Sequence, residues 1–597
     1  MLDARVYRTA FLPALVALFV AAFALEDRPA PGRADIATDV FDAERAFGSG
    51  SAPAPQSLRA LSAAFPQRAP GSPGDIGLAQ VVEDTFRAPD EGQERSSFNV
   101  TRTADDNGIV TVTATRPGFS TRRIVVLAHR DGPGDANLSA TAALLELARL
   151  LKSRDLEKTL VLVSTSGATT GFAGAREWAR ANAGTPVDGV IVLGDLAGTS
   201  IRKPWVVSWP LSPGPTPLGL QRTVAAAVRR EVRSPAGGPR ALGQWARRAL
   251  PITVSAQGPI GAELPAVLLS QTGELGPAPD VPVSETRLEA FGRAALSAIG
   301  AVDNAGPRDG PAFGGAPSGI VTLRNVLPDW SARLVVGTLL LPALLAALDA
   351  FFRARRRRVP IAPWIAWLAV AAVPLPVAWL WMRAIGAFDV IEAPDGPLLP
   401  GPIDTPGLVA MASALIAGGL ACWLARLAAG RLRRAEPPEE DGRGRVIPGV
   451  DGLAVATGVW LCGVTAIAWV LNPYAAGVLL LATHLWIFAA AGWPLRYGLL
   501  ALVAGLIPVG LIAVYYGFAL DLGPAGLAWG AALSAAAGYG LWSTLLVAGL
   551  LAALAATLRA LLARRRITQE VAPIRTRGPV SYAGPGSLGG TESALRR

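Results

Sequence analysis

Long apolar runs frame a central stretch in which short apolar and polar segments alternate. The first run covers residues 9–25, and the others follow one another from position 334 almost to the end of the chain. An α-helix needs about 20 apolar residues to cross a bilayer, so these runs predict membrane spans. We predict one span in 1–25 and about seven in 334–562, at 334–352, 361–382, 407–427, 453–471, 475–491, 499–516 and within 525–562, where an interfacial helix is also expected.

The central stretch, 55–302, has the pattern of an α/β domain. Short runs rich in Val, Ile and Leu alternate with segments whose apolar residues recur at helical spacing. The clearest predicted strands are 109–115, 124–128, 160–165 and 190–196. Such alternation predicts a mixed, mainly parallel sheet with helices on both faces. The fold class is therefore an α/β domain joined to an α-helical, polytopic membrane domain.

Composition suggests the boundaries between these parts. Residues 26–54 are rich in Ala, Pro, Gly and Asp and predict a linker, and 303–333 predict a Gly/Pro-rich connector. Residues 563–597 predict a disordered cytoplasmic tail. The first span could be a signal peptide, but an uncleaved anchor is favoured because the later spans hold the chain in the membrane anyway.

Charge and hydropathy support a membrane protein. The 597 residues are 51% hydrophobic, and the mean hydropathy is +0.38. The net charge of +10 comes almost entirely from Arg, since Lys occurs only as Lys152, Lys158 and Lys203. The Arg residues cluster beside apolar spans, so membrane orientation explains them and nucleic acid is not an expected partner.

The flanking charges predict one topology. Arg353 and 355–358, the Arg residues between 426 and 434, Arg496, and those at 559 and 564–566 mark one side of the membrane. The opposite loop carries four acidic residues: Asp389, Glu392, Asp395 and Asp404. The positive-inside rule then places both termini in the cytoplasm and the α/β domain outside it.

The stretch 123–151 carries the candidate chemistry. A buried strand is expected to end at His129, a polar loop with Gly132 and Gly134 follows, and Ser139 stands where a helix cap belongs. Open α/β sheets place ligands at the carboxyl ends of their strands. The loop that follows this predicted strand carries Asp131 and Asp135, with Asn137 behind them.

These residues resemble the co-catalytic zinc aminopeptidases, metallopeptidase family M twenty-eight, which also includes glutaminyl cyclases. The motifs are HRD at 129–131 and ANLSATAALLELAR at 136–149. Segments 66–75, 159–178, 189–198 and 264–270 resemble further parts of that family in the same order. The resemblance covers about residues 55–300 and implies the aminopeptidase fold for this part of the chain.

For the zinc site, the resemblance implies a degenerate member. His129 and Asp195 match two metal ligands, and Asp131 matches the acid that orients the histidine. The bridging Asp position holds Ala136, the base and ligand pair holds Ala168 and Thr169, and the last histidine position falls within 255–257, which contains no histidine. Asp135 could be a bridging ligand shifted by one residue.

Only His129 and His484 occur in the whole chain, and His484 lies in a predicted span. We therefore expect no catalytic residue and no cofactor. If the site is active, Asp131 is the candidate catalytic residue and zinc is the expected metal. His129 itself has three interpretations: a structural hydrogen bond to Asp131, residual metal or ligand binding, or catalysis. His484 and Asp349 are ionisable groups in or near spans and are functional candidates on that ground.

The whole layout is similar to the attachment subunit of the glycosylphosphatidylinositol transamidase, which also carries a zinc-free aminopeptidase-like domain. Arg-over-Lys usage suggests a GC-rich bacterium, so the same substrate is not implied. The first hypothesis is a non-catalytic component of a membrane complex that binds a peptide or lipid-linked substrate, with membrane lipids and a membrane protein as partners. The second is a membrane-bound zinc aminopeptidase, and the third is a lipid or small-molecule translocator regulated by the exported domain.

Overall fold

The computed structural model describes residues 4–570 with several short gaps. The gaps are 52, 90–95, 106–107, 212–215, 308–309, 315–318, 323–324, 392, 394–395, 397–398, 435–438, 441–445 and 448–449. Most of the predicted tail, 571–597, lies outside the described residues, and so do Glu392 and Asp395 of the acidic loop.

Twelve strands are present in the described part of the chain. In chain order they are β1 (Glu26–Asp27), β2 (Asn99–Ala104), β3 (Val110–Arg116), β4 (Ser120–His129), β5 (Lys158–Thr165), β6 (Val187–Leu193), β7 (Val206–Val207), β8 (Ala266–Leu269), β9 (Gly319–Val321), β10 (Asn325–Pro328), β11 (Glu439–Glu440) and β12 (Val446–Ile447).

The helices fall into two groups. Those up to the end of the α/β part are α1 (Ala4–Thr9), α2 (Leu12–Phe23), α3 (Ala43–Phe47), α4 (Leu58–Ala64), α5 (Pro73–Arg87), α6 (Asp135–Leu151), α7 (Ala173–Ala181), α8 (Leu218–Glu231), α9 (Ala241–Ala249), α10 (Gln257–Ile260) and α11 (Glu285–Asp303), with 3₁₀ turns at Ala168–Thr170 and Gly273–Leu275. The later helices are α12 (Asp329–Arg356), α13 (Ala362–Ala372), α14 (Pro374–Ala387), α15 (Thr405–Arg434), α16 (Val450–Leu471), α17 (Pro473–Gly492), α18 (Leu495–Ala519), α19 (Pro524–Ala536) and α20 (Leu541–Glu570).

The α/β part is built on a seven-stranded mixed sheet with the strand order β2-β3-β5-β4-β6-β8-β7. The four central strands, β5, β4, β6 and β8, run parallel, whereas β2, β3 and β7 join at the edges in antiparallel fashion. The prediction of a mixed sheet is confirmed, but "mainly parallel" holds only for the central strands. The parallel strands place their carboxyl ends along one edge of the sheet.

Helices cover both faces of the sheet, as the sequence pattern predicts. On one face, Ile124 and Val126 of β4 belong to a core that includes α5, α6, α8 and α11. On the other face, Val125 and Leu127 pack in a second core with Trp178 of α7 and with α10. Strands covered on both faces need continuous apolar runs rather than alternation, which is why 124–128 could be recognised in the sequence.

The segment 26–54, predicted as a linker, is a packed part of the α/β core. Phe41 and Phe47 are buried in the first core. The N–H of Gly32 donates to Thr223 Oγ1 at 2.9 Å. Composition suggested a free linker because Pro and Gly dominate it, but the two aromatic side chains supply the apolar surface that holds it in place.

Strands β1 and β10 bring the two ends of the α/β part together. They pair antiparallel, with Glu26 opposite Val326, and β9 extends this small sheet on the far side of β10. The predicted connector 303–333 therefore also contains regular structure. Strand β1 follows α2, and β10 precedes α12. The two segments that connect the α/β part to the membrane-type helices are therefore hydrogen-bonded to each other.

Eight helical segments are long and apolar enough to cross a membrane within the described residues. They are Arg5–Phe23, Asp329–Arg356, Ala362–Ala387, Thr405–Ala428, Asp451–Leu471, Pro473–Gly492, Leu495–Ala519 and Leu541–Arg565. The number agrees with one span plus about seven, and α19, of 13 residues, lies in the stretch where an interfacial helix is expected in addition to a span. The segment Ala362–Ala387 is divided at Val373, directly before Pro374 and Pro376, which cannot donate backbone hydrogen bonds.

The ends of these helices separate into two sides. The α/β part contacts the helical part around Asp329, Asn472 and Asp521. At the other side, Arg564 pairs with Asp451 at 3.2 Å, and Asp349 pairs with Arg353 one turn later in the same helix. The arginine clusters that follow α12 and close α20 therefore lie on the side away from the α/β part.

His484 joins three helices by hydrogen bonds. Its Nε2 atom lies 3.0 Å from the carbonyl oxygen of Leu339 in α12, and its Nδ1 atom lies 2.9 Å from the hydroxyl of Tyr7 in α1. A carbonyl can only accept, so Nε2 carries the hydrogen, and in the neutral ring Nδ1 accepts from Tyr7. These contacts explain His484 as an interhelical anchor for the amino-terminal span.

We expect Tyr7→Phe and His484→Leu to be coupled. Each change removes a shared hydrogen bond, and the interaction free energy of such pairs in membranes is about 0.6 kcal/mol on average. Unfolding of the full chain by sodium dodecyl sulfate in mixed micelles measures both single variants and the double variant. Tyr497→Phe, on an exposed ring, serves as the control, and strictly additive effects of Tyr7→Phe and His484→Leu would contradict the anchor.

Candidate functional site

The parallel strands bring the predicted site residues to one edge of the sheet. His129 is the last residue of β4 and stands opposite Thr165 of β5, and Ala128 stands opposite Leu193 of β6. Asp131 and Asp195 each follow two residues after their strand ends. The carboxyl edge of the sheet therefore holds these three candidates, as the alternation of strands and helices predicts.

Arg68 and two glycines hold the loop that follows β4. The guanidinium of Arg68 donates to the carbonyl oxygens of Gly132 at 3.1 Å and Gly134 at 2.9 Å. Gly134 has φ near +80°, and a Cβ there would lie 2.3 Å from the carbonyl oxygen of Pro279. Only glycine combines that backbone conformation with so close a neighbour.

Helix α6 starts at Asp135, four residues before the predicted cap at Ser139. Gly134 is the residue that precedes its first turn. Ser139 is fully buried, donates to the carbonyl oxygen of Ala136 at 2.5 Å and accepts from the N–H of Leu196 at 2.9 Å. The cap prediction is wrong because the serine hydroxyl links α6 to the loop after β6 instead.

A buried ion pair lies beneath this loop. Arg130 Nε lies 2.7 Å from Asp75 Oδ1, and both side chains are fully shielded from solvent. Asp75 also accepts from Ser166 Oγ at 2.7 Å, while Arg130 donates to the carbonyl oxygen of Val110 at 2.7 Å. The pair ties α5 to the ends of β3, β4 and β5. It was missed in the sequence, although Asp75 and Arg130 both stand in segments that carry the family resemblance.

Asp131 is engaged by the main chain of the neighbouring loop. Its Oδ2 atom accepts from the N–H of Ala168 at 2.7 Å and of Thr169 at 3.4 Å. Burial raises the pKa of Asp131 to about 6, and the Asp75 carboxylate adds to that rise, while Arg130 and the two N–H groups oppose it. The Asp131 side chain has no solvent-exposed surface, and its role as the catalytic residue of an active site stays a prediction.

His129 does not use Asp131 as its hydrogen-bond partner. His129 Nδ1 and Asp131 Oδ1 are both buried and both lack a hydrogen bond. The Phe172 ring packs nearly perpendicular to the imidazole, with an interplanar angle of 79° and the ring centroids 5.9 Å apart. Burial lowers the pKa of His129 to about 4, so the ring is uncharged at neutral pH. The structural pairing of His129 with Asp131 that the sequence suggested is absent from this arrangement.

The other two acids are also held by protein groups. Asp195 Oδ1 accepts from the N–H of Ala197 at 3.0 Å and of Gly198 at 2.6 Å. Burial raises the pKa of Asp195 to about 6 in spite of these hydrogen bonds. Asp135 accepts from the hydroxyl of Ser62 in α4. Both carboxylates thus stabilise local backbone or helix packing.

The described residues at the sheet edge do not assemble a three-ligand zinc site. Within the described parts of the chain, no group of three or more His, Cys, Asp and Glu side chains is placed to hold a metal. A catalytic zinc needs three protein ligands and an open position. His129 and Asp195 stay predictions as remnant ligands, and Asp135 stays a prediction as a shifted ligand.

A buried polar network includes residues 255–257, where the family resemblance places the last histidine. Ser255 Oγ donates to Gln257 Oε1 at 2.6 Å, and Gln257 Nε2 donates to Thr253 Oγ1 at 2.9 Å. The Thr253 hydroxyl in turn donates to Glu274 Oε2 at 2.9 Å. The last link is the ion pair of Glu274 with Arg247 in α9. Sequence spacing gave no signal for this network, because its members come from three separate segments.

Arg247 continues the network to the helical part. Its guanidinium lies 5.1 Å from the ring centroid of Trp209, and 5.6 and 5.2 Å from those of Tyr515 and Tyr516 in α18. Burial alone would lower the pKa of Arg247, but the Glu274 carboxylate raises it above the ordinary value. Arg247 is therefore charged at every working pH, and it links the sheet edge to a membrane-type helix.

The loop between α14 and α15 reaches the candidate site. A Cβ on Gly171 would lie 2.3 Å from the backbone nitrogen of Gly396, and a Cβ on Gly396 would lie 2.0 Å from the carbonyl oxygen of Gly171. Gly171 directly precedes Phe172, the residue against His129. Two backbones thus meet beside the imidazole, at glycines that leave no room for a side chain.

No family model and no curated protein matches the sequence. Among solved structures, the chain is similar to the LapA aminopeptidase of Legionella pneumophila, with a TM-score of 0.35, 11% identity, and coverage of 45% of this chain and 73% of that chain. LapB from Legionella pneumophila has a TM-score of 0.35 and 16% identity, with coverage of 45% and 73%. Fimbriiglobus ruber glutaminyl cyclase has a TM-score of 0.30 and 16% identity, with coverage of 46% and 99%. At these values, the likeness says nothing about what this chain binds or catalyses.

We expect Asp131→Asn to gain stability relative to the parent as pH rises from 4.5 to 7. An acid whose pKa is raised by folding favours the folded state while protonated, and its ionisation destabilises the fold between the unfolded pKa near 3.8 and the folded pKa of about 6. The variant lacks this penalty, so between pH 4.5 and pH 7 its free energy of unfolding rises by about 2 kcal/mol relative to that of the parent.

Thermal unfolding of the purified full chain at the two pH values measures this difference, with the exposed Asp280→Asn as control. A variant that is destabilised more at pH 7 than at pH 4.5 would show that the ionised Asp131 carboxylate, rather than the protonated one, holds the loop at 168–169.

Proposed function

We propose that this chain is a multi-pass membrane protein whose aminopeptidase-like domain is non-catalytic and lies outside the cytoplasm. In this proposal it is a binding or assembly component of a membrane complex. A peptide or a lipid-linked molecule is the proposed substrate class, and a second membrane protein is the proposed partner.

The observation that carries the proposal is the position of Asp131. Its carboxylate is fully buried and accepts from the N–H groups of Ala168 and Thr169. Those are the two positions at which the family resemblance places the catalytic base and a ligand. The backbone of this loop binds Asp131, and the side chains of Ala168 and Thr169 carry no carboxylate. The loop therefore supplies no general base to activate water.

The zinc aminopeptidase hypothesis requires a different arrangement. Asp135 would have to leave Ser62, and Asp195 would have to leave the N–H groups of residues 197 and 198. Each move exposes hydrogen-bond donors that are now satisfied, which costs about 1–3 kcal/mol per group. The translocator hypothesis draws little support from His484, because both of its ring nitrogens are engaged in helix packing.

The orientation is supported by charge. The arginine-rich helix ends lie on the side of the helical part that faces away from the α/β part. The positive-inside rule assigns such ends to the cytoplasm. The α/β part, which contacts the opposite ends, is then outside.

Metal analysis of the purified full chain tests the non-catalytic proposal. We expect both the parent and His129→Ala to contain well below one zinc per chain, because three ligands are not assembled at the sheet edge. Neither protein should hydrolyse amino-acid anilides, with or without a chelator. A parent with one or two bound zinc ions that His129→Ala loses, together with chelator-sensitive hydrolysis, would establish the aminopeptidase instead.

Thiol labelling in cells tests the orientation. In a chain with Cys422→Ala and Cys462→Ala, the exposed Arg180 and Arg357 can each be changed to cysteine. We expect Arg180→Cys, in the α/β part, to react with a membrane-impermeant maleimide in cells whose outer membrane has been permeabilised by osmotic shock. Arg357→Cys, after α12, should react only once the inner membrane is broken, and the reverse pattern would place the α/β part in the cytoplasm.

A further inference from the structure

A deep cleft separates the α/β part from the ends of the membrane-type helices. Its volume is about 1700 Å³, larger than the roughly 300–1,000 Å³ of ordinary small-molecule pockets. One wall is a stripe of α8 that includes Arg222 and Arg229, and the other wall is formed by α9. The floor is the first turn of α12 and the turn between α16 and α17. The cleft is distinct from the site at the carboxyl edge of the sheet, because its lining does not include His129, Asp131, Asp135 or Asp195.

The lining of this cleft is strongly basic. Seven arginines contribute to it against one acid, Asp329, among the lining residues that the structure describes. Asp329 is already engaged, because Arg248 donates to it at 2.9 Å and the Tyr474 hydroxyl also contacts it. Arg247 is likewise engaged by Glu274. The remaining positive charge has no balancing carboxylate in the cleft lining.

Three of these arginines form an uncompensated group. Arg28, Arg222 and Arg229 make no ion pair within the described part of the chain, and Arg222 Nη1 donates only to the carbonyl oxygen of Pro29. Burial lowers the pKa of Arg222, and the charges of Arg28 and Arg229 lower it further. The Nε atom of Arg28 is buried without a hydrogen-bond acceptor. Like charges that share one cleft lining and act on one another are destabilising unless an anion joins them.

The floor of the cleft has the character of a membrane boundary. Trp330 is 52% exposed at the start of α12, and Arg333 is exposed one turn later. Exposed Trp at a helix end is typical of the water–lipid boundary. An occupant of the cleft would therefore meet the cationic groups of the lining beside the exposed Trp330 ring at the start of α12.

We propose that this cleft binds the phosphate-bearing headgroup of an anionic lipid, with Arg28, Arg222 and Arg229 as the phosphate-binding group. Guanidinium groups bind phosphate oxygens in pairs of parallel hydrogen bonds. The acyl chains extend past Trp330 along α12 into the membrane. The inference rests on the membrane location in the proposed function but is independent of whether the α/β part is catalytic.

Lipid retention by the purified full chain tests the proposal. The probes are phosphatidylglycerol and phosphatidylcholine in detergent micelles, with bound lipid counted by native mass spectrometry and affinity obtained by titration. We expect the parent to prefer phosphatidylglycerol, and the double variant Arg222→Gln/Arg229→Gln to bind it about tenfold or more weakly. Arg180→Gln, on an exposed residue outside the cleft lining, should leave the affinity unchanged. Arg222→Lys/Arg229→Lys should lie between the two, because the charge stays and the paired hydrogen bonds are lost.

Several results would overturn the proposal. Equal retention of the two lipids, or the same affinity in the parent and the double variant, would remove the lipid site. Inorganic phosphate that competes as well as short-chain phosphatidylglycerol would identify a site for a soluble phosphate compound instead. If the double variant does not remain monodisperse, the phosphatidylglycerol affinity of the single variant Arg229→Gln, at an exposed position in the cleft lining, is compared with that of the parent instead. Failure of the thiol-labelling pattern with normal lipid preference would overturn the orientation and leave the cleft in place.

Discussion

The ion pair between Arg247 and Glu274 fixes α9, the helix of the α/β part that contacts the ends of the membrane-type helices, to the sheet. Glu274 follows β8 in the sheet, and Arg247 belongs to α9, which lies on the helix ends. The side chains are only 5% and 7% exposed, so removing either partner alone leaves a buried charge at a cost of about 3–5 kcal/mol. Around the pair, Trp245 Nε1 donates to the carbonyl oxygen of Tyr474 at 3.0 Å, and Asn472 donates to that of Arg248 at 2.7 Å. The ion pair and these hydrogen bonds together connect the edge of the sheet, through α9, to the ends of the membrane-type helices.

The parts of the fold that could be predicted are those in which one chain segment carries its own signal. The central strands are continuous apolar runs because both faces are covered, and the membrane-type helices exceed any helix of a soluble core in apolar length. The antiparallel edges could not be predicted as such, since the direction of β2, β3 and β7 depends on long-range pairing. The start of α6 was misplaced because Gly134 with positive φ, rather than a serine hydroxyl, precedes it. Residues 26–54 were misassigned because two phenylalanines outweigh a Pro- and Gly-rich composition.

For the candidate site, sequence comparison located His129, Asp131 and Asp195 at one edge of the sheet but not their partners. The partner of Asp131 is a pair of backbone N–H groups, and backbone groups carry no residue signature. The network from Ser255 to Arg247 joins segments separated by loops, so its members have no common spacing. The arginine-lined cleft was likewise invisible as a site, because the arginines that form clusters in the sequence are those beside the predicted spans, and the cleft arginines are not among them. Arg28, Arg222 and Arg229 come from two distant segments that only the fold brings together.

The packing of the segment before the α/β part has a consequence for the smallest unit that can be excised from this protein. A fragment cut where the family resemblance begins, near residue 55, would lose Phe41 and Phe47 and expose the core surface that they cover. It would also lose β1, and with it the pairing that closes the base of the domain. The smallest fragment that keeps this packing and pairing therefore runs from about Glu26 to Pro328, with its two cut ends side by side on neighbouring strands. Ends so placed are suited to joining by a short turn, which would convert the excised domain into a circularly closed chain.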